Sequence, residues 1–455
     1  MFIYNYLLKI LKKAKNSKVF KASAAYTFAS LVTKGLAVIT IPIFTRLMAS
    51  DQMGIVTLYN SWYSIISTVS TLALTSGGYL IALEEYKDNR DSYISSVLGL
   101  TSINTILIGI LYMFFSNKWY ELSGINHHLT LMLISGLLFM PAMELWIAKQ
   151  RYEFKYKIVF VITVIPAILS TVVSVGAVMF ARNIHIDNLG EIRLISTNAI
   201  MYSIAFIIWI SIFIKGRCPI NFDYWKFSLG LSIPLIVNSI ANQILNISDR
   251  IMIGKMVNNN AVGIYGVLYG EGSISLFVWS SINASFFPYM VENFVNSRNN
   301  VRNIANKIII IYGLITIGLT ACAPFLVRIM ATEEYYEGIS IMPPIAAGVF
   351  MISISNIYSD ILIYYKKNSY IMISSIIAAC VNVLMNYFGI TLFGYKAAAY
   401  TTMISYFILG IIQAIVANKV HFAESSDKNH IYNDFAIFMI AISTMAICLL
   451  FTLMY

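Results

Sequence analysis

Residues 246–272 read NISDRIMIGKMVNNNAVGIYGVLYGEG, and the way this stretch passes from apolar to polar and back decides what kind of chain it belongs to. An apolar segment runs into Asp249-Arg250, crosses a polar tip at Asn258-Asn259-Asn260, and returns to apolar sequence at Gly263. The same order occurs once before. Pro42-Ile43-Phe44-Thr45-Arg46 precedes the tip Ser50-Asp51-Gln52, and Gly54-Ile55-Val56-Thr57-Leu58-Tyr59 aligns with Gly263-Ile264-Tyr265-Gly266-Val267-Leu268-Tyr269, 209 positions later. The pattern predicts an internal duplication, and a duplicated membrane protein usually keeps its working site where the copies meet.

Composition sets the solvent. Of 455 residues, 58% are hydrophobic and only 11% charged, with a mean hydropathy of +0.74, which is too apolar for a soluble chain of this length. The formal charge of +10 does not indicate nucleic acid, because the basic residues sit in short connections between apolar runs, where they set membrane orientation. Cys218, Cys322, Cys380 and Cys448 lie far apart and suggest neither a metal pair nor a disulfide ladder. At the N-terminus, Phe2, Ile3, Tyr6, Leu7, Ile10 and Leu11 stand ahead of or among Lys9, Lys12, Lys13, Lys15 and Lys18. That order is the reverse of a signal peptide and fits a cytoplasmic amphipathic segment over 1–21 lying on an anionic leaflet.

Runs long enough to cross a bilayer, about 20 residues each, fall at 22–47, 54–83, 92–115, 129–149, 157–181 and 194–214, then at 228–253, 262–289, 305–330, 340–365, 370–392 and 397–418. A thirteenth run covers 433–454. With the N-terminus inside, Lys and Arg number 22 on the cytoplasmic side and 8 on the outer side, and Lys34 remains within a run. The sequence therefore predicts an all-α, polytopic membrane protein. Its parts are a six-helix bundle over 22–214, a cytoplasmic linker at 215–227, a second bundle over 228–418, and one extra C-terminal helix at 433–454. Six crossings per bundle make these pseudo-symmetric parallel repeats. Glu144 and Arg151 match Asp360 and Lys367 at a common offset of 216, which supports the duplication.

The chain offers little to an enzyme. No phosphate-binding glycine loop occurs, and Gly254-Lys255-Met256 lacks the hydroxyl such a loop requires. Gly263, Gly266, Gly270 and Gly272 read as a small-residue face for close helix packing. His127, His128, His185, His421 and His430 are expected in loops and lack metal-ligand spacing, so no metal or cofactor is expected. Glu84-Glu85 and Glu333-Glu334 fall at helix ends in solvated loops.

What remains is the ionisable residues inside apolar runs, each costing about 2.5–3.5 kcal/mol if it faced lipid at a helix centre. Lys34 is midway along the first run, Arg46 and Asp249-Arg250 stand near the outer ends of the first and seventh, and Glu271 is inside the eighth. Glu144 and Asp360 lie near the inner ends of the fourth and tenth, with Lys149 and Lys366 as expected local partners, while Glu271 is expected to pair with a cation of the other half. Asn238, Asn242 and Asn246 share one helix face at a spacing of four, as do Asn382 and Asn386. Such asparagines bond neighbouring helices or contact sugar hydroxyls. Fixed cations beside amides suit a solute that carries a pyrophosphate and a polar glycan.

TRLMASDQMGI at 45–55, DRIMIG at 249–254 with VGIY at 262–265, and the asparagine pair at 382 and 386 followed by FGYKAAAY at 393–400 resemble the polysaccharide and O-antigen flippases. These belong to the multidrug/oligosaccharidyl-lipid/polysaccharide exporter superfamily, and the resemblance spans roughly 20–420. It implies a MATE-like fold that alternates between inward-open and outward-open forms. The cargo it implies is an undecaprenyl-pyrophosphate-linked oligosaccharide, moved from the cytoplasmic to the outer leaflet of the bacterial inner membrane for O-antigen, lipopolysaccharide or capsule synthesis. Membrane lipids and a polysaccharide polymerase or chain-length protein are the implied partners, with no nucleic acid. Lys34, Arg46 and Arg250 are the positions that match a cationic substrate pathway, and Asp249, Glu271, Asn242 and Asn246 stand beside them. Two departures are Ala397-Ala398-Ala399 after Gly394-Tyr395-Lys396, where relatives often have G-x-x-G-A-A, and a helix count of thirteen rather than twelve or fourteen. A second reading is a cation-coupled drug antiporter of the same superfamily, with Glu271 or Asp360 as the coupling carboxylate. A third, a membrane glycan polymerase or acyltransferase, wants a large outer loop or an intramembrane histidine, and the sequence suggests neither.

Overall fold

A computed structural model describes residues 18–75, 78–294, 297–425 and 429–455; of the basic segment expected over 1–21, residues 1–17 lie outside the described residues. Among the described residues the regular structure is helical, with no strand. In chain order the helices are α1 Lys18–Leu47, α2 Ser50–Ser70, α3 Gly78–Glu85, α4 Arg90–Ser123, α5 His127–Tyr152, α6 Tyr156–Asn183, α7 Leu189–Gly216 and α8 Phe222–Met256. There follow α9 Asn259–Gly272, α10 Ser275–Asn293, α11 Arg298–Ala321, α12 Ala323–Met330, a 3-10 helix at Glu333–Ile341, α13 Met342–Tyr364, α14 Asn368–Phe393, α15 Ala397–Glu424 and α16 Asp434–Thr452.

Side-chain caps set several of these boundaries. Asn126 Oδ1 accepts from Leu129 N at 2.9 Å to start α5, and Asn258 Oδ1 accepts from Ala261 N at 2.8 Å to start α9. Gly124, with φ of 67°, ends α4 in the left-handed conformation that favours glycine. Pro343 and Pro344 open α13, where a missing N–H leaves nothing unsatisfied.

Among the described residues, eleven helical spans are long and apolar enough to cross a membrane, with Asn259–Asn293 and Glu333–Tyr364 each counted as one, or twelve when α8 is counted as one span across the break between Ile233 and Leu235. The run expected at 54–83 is not one of them. It divides into α2 and α3 around a turn at Thr71–Thr75, where Leu72 and Ala73 take φ values of 51° and 50°. Ser50, Asp51, Gln52, Asn60 and six more serines and threonines up to Ser70 lower the apolar content of α2 itself. The run expected at 305–330 is likewise split, at Cys322, into α11 and α12.

The chain forms two compact units, one of Met1–Leu47 with Ile66–Ile236, the other of Met48–Ile65 with Val237–Tyr455. In the first, Tyr79, Tyr86 and Tyr93 pack with Tyr224 and Phe227 in one aromatic cluster. Two of its buried hydroxyls have partners: Tyr79 donates to Leu145 O at 3.0 Å, and the Tyr93 hydroxyl lies 2.7 Å from Ser228 Oγ. In the second, α13 is the central helix, buried along most of its length between α11, α15 and α16. Its Phe350, Ile354, Ile357, Tyr358 and Ile361 join one core with Tyr312, Tyr406 and Ile437.

The duplicated tips meet within the second unit. A Cβ at Gly54 of α2 would lie 1.9 Å from Asn259 O, and one at Gly263 of α9 would lie 1.8 Å from Ser50 O. Ser50 and Asn259 are related by the same offset as Gly54 and Gly263, so the contact is reciprocal, as a pseudo-two-fold axis requires. Glu334 holds the seam. Both of its carboxylate oxygens lie 3.2 Å from Ser50 N, and Ser50 Oγ is within hydrogen-bonding reach of Glu334 Oε1 and, at 2.8 Å, of Asn260 Oδ1. An anion there also suits the positive end of the α2 dipole.

Candidate functional site

Asp249 and Arg250 stand in the last turns of α8, before the Asn258-capped start of α9. The 3.6-residue period of α9 puts Tyr265 and Tyr269 one turn apart on the face turned toward them. Asp249, 1% exposed, accepts from the Tyr265 hydroxyl at 2.7 Å through Oδ2 and from Arg250 N at 2.8 Å through Oδ1. Arg250 Nη1 lies 3.7 Å from Asp249 Oδ1 and donates to Asn246 O at 2.7 Å. The guanidinium carbon sits 4.0 Å from the centroid of the Tyr269 ring, a cation–π contact. From α15, the Tyr406 hydroxyl donates to Asn246 Oδ1 and lies 3.5 Å from the Tyr269 hydroxyl. Asn246 Nδ2 donates to Asn242 O at 2.7 Å, and Asn242 Nδ2 to Asn238 Oδ1 at 3.3 Å.

Three helices thus converge on one ion pair in the second unit. Removing one member of a buried pair strands the other, at a cost of about 3–5 kcal/mol. Burial is uneven here: the Arg250 side chain is 14% exposed and that of Asp249 only 1%.

The asparagine pair on α14 serves packing. Ser248 Oγ donates to Asn382 Oδ1 at 2.8 Å, Asn382 Nδ2 to Thr402 Oγ1 at 3.3 Å, and Asn386 Nδ2 to Asn382 Oδ1 at 3.0 Å, while Thr401 donates to Asn386 Oδ1. Asn382 and Asn386 are fully buried, and their amides tie α8, α14 and α15 together.

The other expected residues lie apart from this cluster. Glu271, near the end of α9, is 0% exposed and neither carboxyl oxygen has a hydrogen-bond partner, so the expected pairing with a cation is not seen among the described residues. Asp360, on α13 and 5% exposed, takes a hydrogen bond from Asn283 and has one oxygen without a partner. The expected local pairs are replaced. Lys149 bridges to Asp91 at 2.5 Å and reaches Glu153 at 4.0 Å; Glu144 bonds Thr75 instead. Lys367, rather than Lys366, makes the ion pair near the end of the tenth run, with Glu424 at 2.9 Å. Each replacement reflects helix-to-helix neighbours that linear spacing does not show. His421, expected in a loop, is instead buried in the last turn of α15, where its Nδ1 lies 2.7 Å from the Tyr365 hydroxyl.

Lys34 and Arg46 belong to α1 in the first unit and are both exposed. Arg46 Nη1 donates to Pro42 O at 2.8 Å, and Arg46 O accepts from Arg182 Nη1 at 2.9 Å. Arg193 stacks 3.8 Å above the Phe44 ring, so three arginines gather at one end of α1. Arg182 and Arg193 fall just outside the runs expected at 157–181 and 194–214 but lie within α6 and α7, and the sequence did not single out Tyr265, Tyr269 or Tyr406 as site residues. For the first two tyrosines a signal existed in their spacing of four, opposite a charged pair; for Tyr406 none did.

Solved structures share this architecture. The lipid II flippase MurJ in an inward closed conformation is 14% identical, with a TM-score of 0.63 over 95% of this chain and 92% of that one. A multidrug resistance MATE family transporter of the MOP superfamily, inward-facing, is 11% identical, with a TM-score of 0.64 over 89% of this chain and 100% of that one. A point mutant of the VcmN MATE transporter of Vibrio cholerae is 13% identical, with a TM-score of 0.51 over 90% of this chain and 98% of that one. At such identities the likeness shows the fold: a multi-pass membrane protein built like MATE transporters and MurJ, whose solved neighbours are transporters and flippases. No curated protein matches by sequence. The profile described as "Polysaccharide biosynthesis protein" matches residues 19–294, more than half of the sequence, and the chain therefore belongs to that family.

Proposed function

We propose that this chain flips undecaprenyl-pyrophosphate-linked oligosaccharide repeat units from the cytoplasmic to the outer leaflet of the bacterial inner membrane, by alternating access, for O-antigen, capsule or another surface polysaccharide. The family and the flippase-like fold support transport of a lipid-linked substrate. Within that frame the observation that carries the reading is Arg250: a side chain that is not fully buried, its guanidinium packed on an aromatic face and its counter-ion buried beside it. Arginine offers planar paired donors that match phosphate oxygens. Lys34 and Arg46 supply further positive charge, and Asn242 and Asn246 supply amides for the headgroup. The bundles at 22–214 and 228–418 are the alternating bodies in this proposal, with the helix at 433–454 as an addition and the N-terminus cytoplasmic by the distribution of Lys and Arg. A polysaccharide polymerase or chain-length protein is the proposed downstream partner.

One observation favours a second reading, cation-coupled antiport: Glu271 and Asp360 are buried carboxyl groups with oxygens that lack partners, a costly arrangement that a bound cation or proton relieves. The test is complementation of a strain lacking its own copy. Arg250→Ala and Lys34→Ala, each at unchanged protein level, are expected to lower surface glycan, and full glycan with both variants overturns the cationic pathway.

A further inference from the structure

We propose that Tyr269 and Tyr406 are positioning residues for Arg250, holding its guanidinium as a fixed donor edge for an anionic, phosphate-bearing headgroup. This rests on the reading of Arg250 as the charge that meets that headgroup. An arginine on a helix surface samples many rotamers, and each must be frozen out before two donors can meet one phosphate. Here the freezing is done in advance. The guanidinium carbon lies 4.0 Å from the centroid of the Tyr269 ring, a contact that uses a ring face and none of the five N–H donors. Nη1 is pinned to Asn246 O at 2.7 Å.

Tyr406, from another helix, holds the side chain of the same asparagine. Its hydroxyl donates to Asn246 Oδ1 and lies 3.5 Å from the Tyr269 hydroxyl, so it meets the residue that pins Nη1 and the ring that supports the plane. Asp249 neutralises without filling the fork: its oxygens are taken by Tyr265 and by Arg250 N, and Nη1 stands 3.7 Å away, beyond a direct bond. A guanidinium has five donors, more than these partners use. The side chain is 14% exposed, so it is not fully sealed by these partners. A planar pair of donors backed by an apolar face selects an acceptor with several oxygens, such as a phosphate, over a single hydroxyl.

The test uses the full-length chain in lipid nanodiscs and binding of radiolabelled undecaprenyl pyrophosphate, with undecaprenol as the control that lacks the charged headgroup. Tyr269→Leu is expected to weaken pyrophosphate binding by about 2- to 30-fold, the range of a cation–π contact. Tyr269→Phe, which keeps the ring face, is expected to stay within about twofold of the parent. Tyr406→Phe is expected to weaken it by about 2- to 10-fold, the worth of one neutral hydrogen bond. Undecaprenol binding and the unfolding midpoint should not follow. If Arg250→Ala weakens pyrophosphate binding while Tyr269→Leu and Tyr406→Phe do not, the positioning role is overturned and the reading of Arg250 stands. Equal loss of pyrophosphate and undecaprenol binding in the tyrosine variants reduces them to structural ties and also overturns the role. If Arg250→Ala binds like the parent, the reading of Arg250 fails and the positioning role falls with it. Should Tyr269→Leu not fold, Tyr406→Phe, which removes one oxygen, decides.

Discussion

Gly263→Ala is the sharpest perturbation of the fold. The added methyl would lie 1.8 Å from Ser50 O, 2.8 Å from Ser50 C and 3.0 Å from Gly54 N, all of them backbone atoms. Ordinary contact begins near 3.4 Å, so α2 and α9 must separate by about 1.5 Å, since no side chain can yield in their place; overpacking of this kind costs about 1–3 kcal/mol. Separation also pulls Ser50 N from the Glu334 carboxylate, which lies 3.2 Å away through either oxygen. A hydrogen bond to a charged group contributes about 1.5–3 kcal/mol, so the total loss is about 2.5–6 kcal/mol. Gly54→Ala should behave alike, because its methyl would lie 1.9 Å from Asn259 O. The double variant should lose less than the two together, because one displacement serves both methyls. Thermal unfolding of the purified protein in detergent measures this, with Gly176→Ala as control; that helical glycine has nothing within 4 Å of its would-be methyl. The control should be neutral or more stable by up to about 1 kcal/mol. Gly263→Ala unfolding at the same temperature as Gly176→Ala would refute the reciprocal seam.

Two more outcomes are expected. Tyr265→Phe leaves Asp249 Oδ2 buried without its 2.7 Å donor, a loss of about 1.5–3 kcal/mol in denaturant or thermal unfolding, and adding Asp249→Asn to it should lower stability further, because Arg250 then loses its counter-ion. Glu271→Gln should leave unfolding unchanged or raise its midpoint, because the carboxyl group it replaces has no partner to lose; a fall of several degrees would mean that Glu271 carries a bond the structure does not contain.

Much of this protein was legible before any fold was known, and the reason is the solvent. Water excludes long apolar runs and a bilayer accepts them only as helices, so composition alone determined an all-α membrane chain. The duplication was readable because Gly54 and Gly263 each mark a helix start after a polar tip. Asp249 and Arg250 stood out because charge inside an apolar run must be compensated. The chain order was less informative wherever a helix is interrupted. The turn at Thr71–Thr75 and the break at Cys322 are as apolar as the helices around them, so hydropathy read straight through both.

What the sequence by itself determined, then, is the helical membrane fold, its repeat and the charged pair that the fold must shelter. Tertiary structure alone decided the partners. Tyr406 reaches Asn246 across 160 positions, Glu334 reaches Ser50 across 284, and Lys149 chooses Asp91 over the nearer Glu144. Hydrophobic burial depends on how many apolar residues a segment has and on their period, both of which are written along the chain. A hydrogen bond depends on two atoms coming within about 3 Å, which only the packing of distant helices can arrange.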